Sequence, residues 1–230
     1  MTTLSPTRYL YPPRARGVLP FQDQAARRDL QTFGYLAQYK FNDSRCLVKH
    51  LPDGQIQLWN RHGERFRDYT APDWLQDQLH AALAQLGLSP AGYHLLDGGL
   101  LDKKHPKIKD TIALWDILIR DGEHLRNTTY HDRYHTLWTH TTTPHTYPGG
   151  TTVGAQLQPN IFVPHQIRPA DWDAAWASVQ HENQPYPPHS PLLEGLVFKD
   201  PAGRLEPGYR EQNNGHWMIR SRVETGRHRF

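Results

Sequence analysis

Lys40 and Arg45 are the residues whose type and spacing point most directly to chemistry. They belong to the stretch Gln38-Tyr39-Lys40-Phe41-Asn42-Asp43-Ser44-Arg45. A lysine amine becomes a covalent nucleophile when burial or nearby positive charge favours its neutral form. The plain alternative is a solvated surface hairpin, since lysines beside Asn-Asp turns are common. His131 and His135 share the i, i+4 spacing of helical metal ligands, but a zinc site needs further ligands and no set of them is evident nearby. With 15 histidines in the chain, the better reading is a chance pair. Cys46 reads as a small strand residue.

The elements that must position Lys40 follow from apolar alternation. Phe33, Tyr35 and Ala37 precede the lysine, and Cys46 and Val48 follow the arginine. That period of two predicts a hairpin: a strand ending at Lys40, a tight Asn42–Asp43 turn, and a returning strand. Strands are expected over 34–40, 45–51 and 55–60, with Pro52-Asp53-Gly54 turning between the last two. Leu75, Leu79, Leu83 and Leu86 share one face of a helix over 71–87, between Pro72 and Gly87. Residues 93–101 read as a strand interrupted by Asp97-Gly98-Gly99, 103–109 as a loop, and 111–119 as a buried strand. Helix is expected over 128–139 and 169–180, a mobile threonine-rich loop over 139–152, and a Pro-rich linker over 183–191. Further strands fall at 160–167, 192–199 and 217–222. Residues 1–33 form an extended lead-in of the same domain, with at most a short helix near 22–32, and 223–230 a basic tail.

Composition bounds the function. The 230 residues suffice for one substantial core, and 37% hydrophobic content with a mean hydropathy of −0.76 describes a polar chain. No apolar run is long enough to span a bilayer, and the first ten residues lack a signal-peptide pattern. One cysteine excludes an intramolecular disulfide and fits a reducing compartment, so a cytoplasmic location is expected, the host cytosol if the source is viral. The net charge is +3, with basic clusters at 14–16, 61–67, 103–109 and 220–229. Any one of them reads as a solvated face; together they suit a polyanionic partner.

The ordered motifs resemble the nucleotidyltransferase (adenylation) domain of ATP-dependent DNA ligases, a superfamily shared with RNA ligases and RNA-capping enzymes. Lys40-Phe41-Asn42-Asp43-Ser44-Arg45 is similar to K-x-D-G-x-R, Asn60-Arg61-His62-Gly63 to S-R-x-G, and Asp97-Gly98-Gly99 to D-G-E. Trp115-Asp116-Ile117-Leu118, with Asp121-Gly122 and Leu125-Arg126, is similar to F-D-x-L-x-x-D-G-x-x-L-R. Glu194–Lys199 matches E-G-x-V-x-K in full, and Trp217-Met218-Ile219-Arg220-Ser221-Arg222 approximates W-L-K-x-K. The likeness covers residues 34 to 222. It departs where Asp43 replaces the turn glycine, a position of positive φ in the family pattern, and where Gly99 replaces a ribose-contacting glutamate. It departs again where Arg220 and Arg222 replace lysines.

The resemblance implies an α+β fold with antiparallel sheets flanked by helices, and no C-terminal OB domain, whose place a protein partner or a dimer would take. It implies an ATP-dependent polynucleotide ligase acting on nicked or end-bearing nucleic acid, DNA in preference to RNA, through a lysyl-AMP intermediate. Lys40 would attack the α-phosphate of ATP. Arg45, Lys199, Arg220 and Arg222 would supply fixed positive charge, and Glu194 would hold Mg²⁺, or Mn²⁺ in its place. Trp115 would stack on adenine, Gln38 would face the base edge, and Arg61 would contact ribose or phosphate. Competing functions are RNA ligation, capping-type guanylyl transfer, and a degenerate module that grips nucleic-acid ends without catalysis.

Overall fold

The computed structural model describes residues 9–210 and 214–224; most of the sequence's basic tail, 225–230, lies outside them. In chain order the strands are β1 (Arg14–Val18), β2 (Leu36–Phe41), β3 (Ser44–His50), β4 (Ile56–Trp59), β5 (His94–Leu101) and β6 (Thr111–Arg120). They continue with β7 (Glu123–His124), β8 (Pro144–Thr146), β9 (Thr152–Gln158), β10 (Ile161–Pro164), β11 (Leu193–Lys199) and β12 (Asn214–Arg222). The helices are α1 (Gln24–Thr32), α2 (Asp73–Gln85), α3 (Tyr130–Trp138) and α4 (Trp172–Asn183), the last preceded by a 3₁₀ turn at Pro169–Asp171.

Two sheets result. The smaller runs β1-β12-β11-β2 and the larger β4-β3-β5-β6-β10-β9-β8, with β7 paired to β6. Most pairings are antiparallel; β1 with β12 and β6 with β10 are parallel. The expected hairpin at Asn42–Asp43 is corrected here. β2 hydrogen-bonds to β11 and β3 to β4 and β5, so these two residues carry the chain from one sheet to the other. Asn42 pins the crossing: its Nδ2 donates to the carbonyls of Lys104, at 3.0 Å, and Pro191, at 2.9 Å. Alternation in two successive strands looks the same whether or not they pair, so the sequence could not separate the cases. A tight reversal would demand positive φ at Asp43. The crossing does not, and among described non-glycine residues only Asp110 and Asp121 have positive φ.

Two further expectations change. β5 runs through Asp97-Gly98-Gly99 unbroken, with a register shift against β6 at Asp97/Gly98 rather than an interruption. The lead-in supplies β1, whose hydrogen-bonding partner lies some 200 positions on and is invisible to local pattern.

Each sheet is sided by its side-chain alternation. From β2, Ala37, Tyr39 and Phe41 pack with Trp172, Ala175, Trp176 and Val179 of α4 and with Leu196 and Phe198 of β11. From the larger sheet, Leu96, Ile117 and Val163 pack with Leu75, Leu79 and Leu83 of α2 and with Tyr130, Tyr134 and Leu137 of α3. Local signals start and stop these helices: Thr129 Oγ1 accepts from Asp132 N at 3.2 Å at the head of α3, and Gly87, at φ 66°, follows α2. Among the described residues, no helix is long and apolar enough to cross a membrane.

Candidate active site

The faces left over by that packing enclose a cavity of about 450 Å³ between the two sheets. Across the smaller sheet, Lys40 of β2 stands opposite Gly195 of β11, which stands opposite Arg222 of β12. One step along, Gln38, Val197 and Arg220 form a second row, and Leu36, Lys199 and Met218 a third. Residues opposite one another point to the same face, so β2, β11 and β12 deliver Gln38, Lys40, Lys199, Arg220 and Arg222 to one wall. Arg45 from β3 and Trp115 from β6 face them, and Arg61 enters from the loop after β4. All nine residues to which the resemblance gave a role line this one cavity.

Glu194 reaches the wall by a local irregularity. The register against β2 shifts between Leu193 and Gly195, which turns Glu194 toward the lysine side. Gly195 has φ 137°, and a Cβ there would lie 2.0 Å from Ser221 O, so only glycine fits. Glu194 Oε2 then accepts from Lys40 Nζ at 2.5 Å and from Arg222 Nη2 at 2.7 Å. Burial alone would raise the Glu194 pKa; Lys40, then Arg222 and Lys104, outweigh it and hold the carboxyl below its usual range. It is therefore ionised at neutral pH.

The other side chains divide into held and unheld. Arg45 is clamped by both carboxylate oxygens of Asp97, donates to Pro13 O at 3.1 Å, and lies 5.4 Å from the Trp115 ring centre. Gln38 acts as a strut: its Nε2 donates to Pro164 O at 2.9 Å, and its Oε1 accepts from Tyr130 O–H at 3.0 Å. Most of its amide is thus committed to β10 and α3, where the sequence suggested a base-edge contact. Lys199 is buried and donates to Tyr130 Oη at 3.1 Å; burial lowers its pKa to about 7 against the opposing pull of Asp116 and Asp97. Burial, then Arg222, also lowers Arg220. The Nε atoms of Arg220 and Arg222 are buried without a hydrogen-bond partner among the described residues. Arg61 is exposed, its Nε 3.0 Å from His62 Nε2.

Sequence reasoning missed Asp43, Lys104 and Tyr130. Lys104 belonged to a noted basic cluster, but only the Asn42 anchor brings that loop to the cavity. Tyr130 sits at the head of α3 and couples Gln38 to Lys199.

Lys40, Arg45, Lys104, Lys199, Arg220 and Arg222 thus surround a space whose carboxylates are Asp43 and Glu194, Asp97 being turned onto Arg45. Orphaned guanidinium donors and surplus positive charge fit a polyphosphate. No cluster of three or more metal-ligating side chains exists among the described residues. Glu194 alone fits a magnesium ion that draws its remaining ligands from phosphate and water.

No protein-family model and no curated protein matches the sequence. Solved structures do. A mycobacterial DNA ligase D complexed with ATP and MES superimposes with a TM-score of 0.54 at 20% identity, covering 93% of this chain and 60% of that one. The ligase domain of M. tuberculosis LigD gives 0.52 at 20% identity, covering 90% and 59%. The chain spans about 60% of the length of these structures. The likeness is one of fold: this chain has the fold of a ligase nucleotidyltransferase domain.

Proposed function

We propose that this chain, built on the ligase nucleotidyltransferase fold, is an ATP-dependent polynucleotide ligase with DNA as its favoured substrate. The observation that carries the reading is Lys40 Nζ, 2.5 Å from an ionised Glu194, on a wall with Arg220 and Arg222.

Lys40 Nζ attacks the α-phosphorus of ATP. An N–P bond forms, the bond to the β-phosphate oxygen breaks, and pyrophosphate departs. The amine must shed its protons, and Glu194 Oε2 is the acceptor in contact with it. An oxygen of a nucleic-acid 5′-phosphate next displaces Lys40 from phosphorus, and the 3′-hydroxyl of the adjoining strand then attacks that 5′-phosphate and expels AMP. Arg220, Arg222, Lys104 and Lys199 offset the charge on the phosphates throughout, and in-line attack requires that they fix the leaving group opposite Nζ. Trp115 offers its ring to the base. Glu194 would hold Mg²⁺, which, when bound, withdraws charge from phosphate oxygens.

Incubation with α-labelled ATP and magnesium, followed by a denaturing gel, tests this. A covalent AMP adduct is expected. A GMP adduct in a parallel reaction with GTP in place of AMP would turn the reading toward capping chemistry, and no adduct with either nucleotide would overturn it.

A further inference from the structure

Asp43 is the one cavity carboxylate the proposed reaction leaves without work. It lines the cavity, and no residue among the described ones makes a hydrogen bond or ion pair with it. It lies in the fields of Lys40, Glu194, Arg45 and Lys104, and burial lifts its pKa to about 6. Its place is set by a neighbour with no side chain. A Cβ on Gly99 would come within 2.7 Å of Asp43 Cγ and Oδ2, and within 2.7 Å of Trp115 Cη2. Gly99 pairs with Arg45 across β3 and β5, so both backbones are fixed. One slot therefore exists beside the indole edge. It takes a carboxyl from position 43 only because position 99 is empty.

An unpaired carboxylate facing a phosphate site would repel phosphate, so the part of a nucleotide that meets it must donate hydrogen bonds. On the proposed reading of this cavity, Trp115 takes the base and Lys40 the α-phosphate. A nucleotide held at both ends presents its ribose between them, where Asp43 and the Trp115 indole edge both border the Gly99 slot and Asp43 lies within the field of Lys40. We propose that Asp43 is the ribose-binding residue of this chain, accepting hydrogen bonds from the nucleotide's 2′- and 3′-hydroxyls in the slot that Gly99 leaves open. This rests on the ligase reading of the same site.

The test is equilibrium binding of ATP, 2′-deoxyATP and 3′-deoxyATP to the full chain and its variants, with covalent labelling of the wild type measured alongside. The wild type should prefer ATP to at least one deoxy analogue by about tenfold, the scale of a charge-assisted hydrogen bond. Asp43→Ala should bind all three alike, at the affinity the wild type shows for the weaker analogue. Gly99→Glu should lose ATP binding by clash with Asp43, and the double variant Asp43→Gly, Gly99→Glu should regain both binding and discrimination by supplying the carboxylate from the other strand. An Asp43→Ala that weakens all three nucleotides equally while keeping the preference for ATP would show a merely structural role and overturn the proposal. So would a Gly99→Glu that binds ATP as the wild type does. If the wild type labels with ATP yet never discriminates, the ribose assignment alone fails; if it neither binds nor labels, the ligase reading fails with it.

Discussion

Lys40 Nζ meets Glu194 Oε2 at 2.5 Å although 154 positions separate them in the chain. The contact exists because β2 and β11 are neighbours and because a bulge at Gly195 turns the carboxylate to the lysine's side. A lysine amine and a carboxylate brought together over that sequence distance give the first two predictions.

Lys40→Ala should abolish the AMP adduct and leave the fold intact. The lysine side chain is 19% exposed and ends in the cavity rather than in either apolar cluster. A thermal midpoint within a few degrees of wild type, with no label on the gel, is the expected pair of results. Persistent labelling would send the search to another amine.

Glu194→Gln keeps size and removes charge. Labelling should fall by about 10²-fold or more, because the group touching Nζ can no longer take its proton or hold the metal. Sealing of a nick that already carries 5′-AMP should fall as well, since that step needs the same metal site. Titrating magnesium in both assays checks the assignment; an unchanged magnesium dependence would remove Glu194 from the metal.

Gly195→Ala should be among the most damaging single-methyl changes. The added Cβ meets a backbone oxygen at 2.0 Å, and alanine is strained at φ 137°. A loss of about 2–4 kcal/mol is expected from chemical denaturation. Gly17→Ala is the control, since nothing lies within 4 Å of its would-be Cβ and its cost should be small.

Acid should destabilise the fold at pH values well above the ordinary carboxylate range. Burial holds His105, His124 and His145 down at about 4, against 6.5 for a free imidazole. His105 Nδ1 accepts from Ile108 N at 2.9 Å, a bond that protonation would break. A depressed folded-state pKa means that the unfolded chain binds protons first. The stabilisation is complete above pH 6.5 and is lost as pH falls toward 4. Urea midpoints should therefore drop between pH 7 and pH 5, and His105→Gln, which keeps a polar acceptor without a titrating ring, should flatten that slope. A flat wild-type profile would contradict the burial of these rings.

Much of this was readable in the residues, and the reasons differ by element. β6 is buried along almost its full length and α2 shows a leucine stripe, so both announce themselves locally. The cavity wall was legible because Lys40, Glu194 and Arg220 carry chemistry in recognisable strings. The change of sheet at Asn42–Asp43 was not, because it depends on which strand pairs with which. Asp43 was read as part of a turn, since the vacancy that makes room for its carboxyl lies 56 positions away at Gly99. The hydrogen bonds of Gln38 to Pro164 and Tyr130 were not legible either, because those partners come from β10 and α3 and leave no trace near it in sequence.

The pairing of β1 with β12 joins segments some 200 positions apart, and Leu19 locks it by donating to Arg220 O at 2.9 Å while its own carbonyl accepts from Ser221 Oγ at 2.7 Å. The strand that carries Arg220 and Arg222 is thereby flanked on each side, by β11 and by β1. On the ribosome, Lys40 emerges before β11 and β12, the strands that complete its wall. Until they are made, Arg220 and Arg222 are missing from the wall and Glu194 cannot meet the lysine. The wall is complete only when β12 takes its place between β1 and β11.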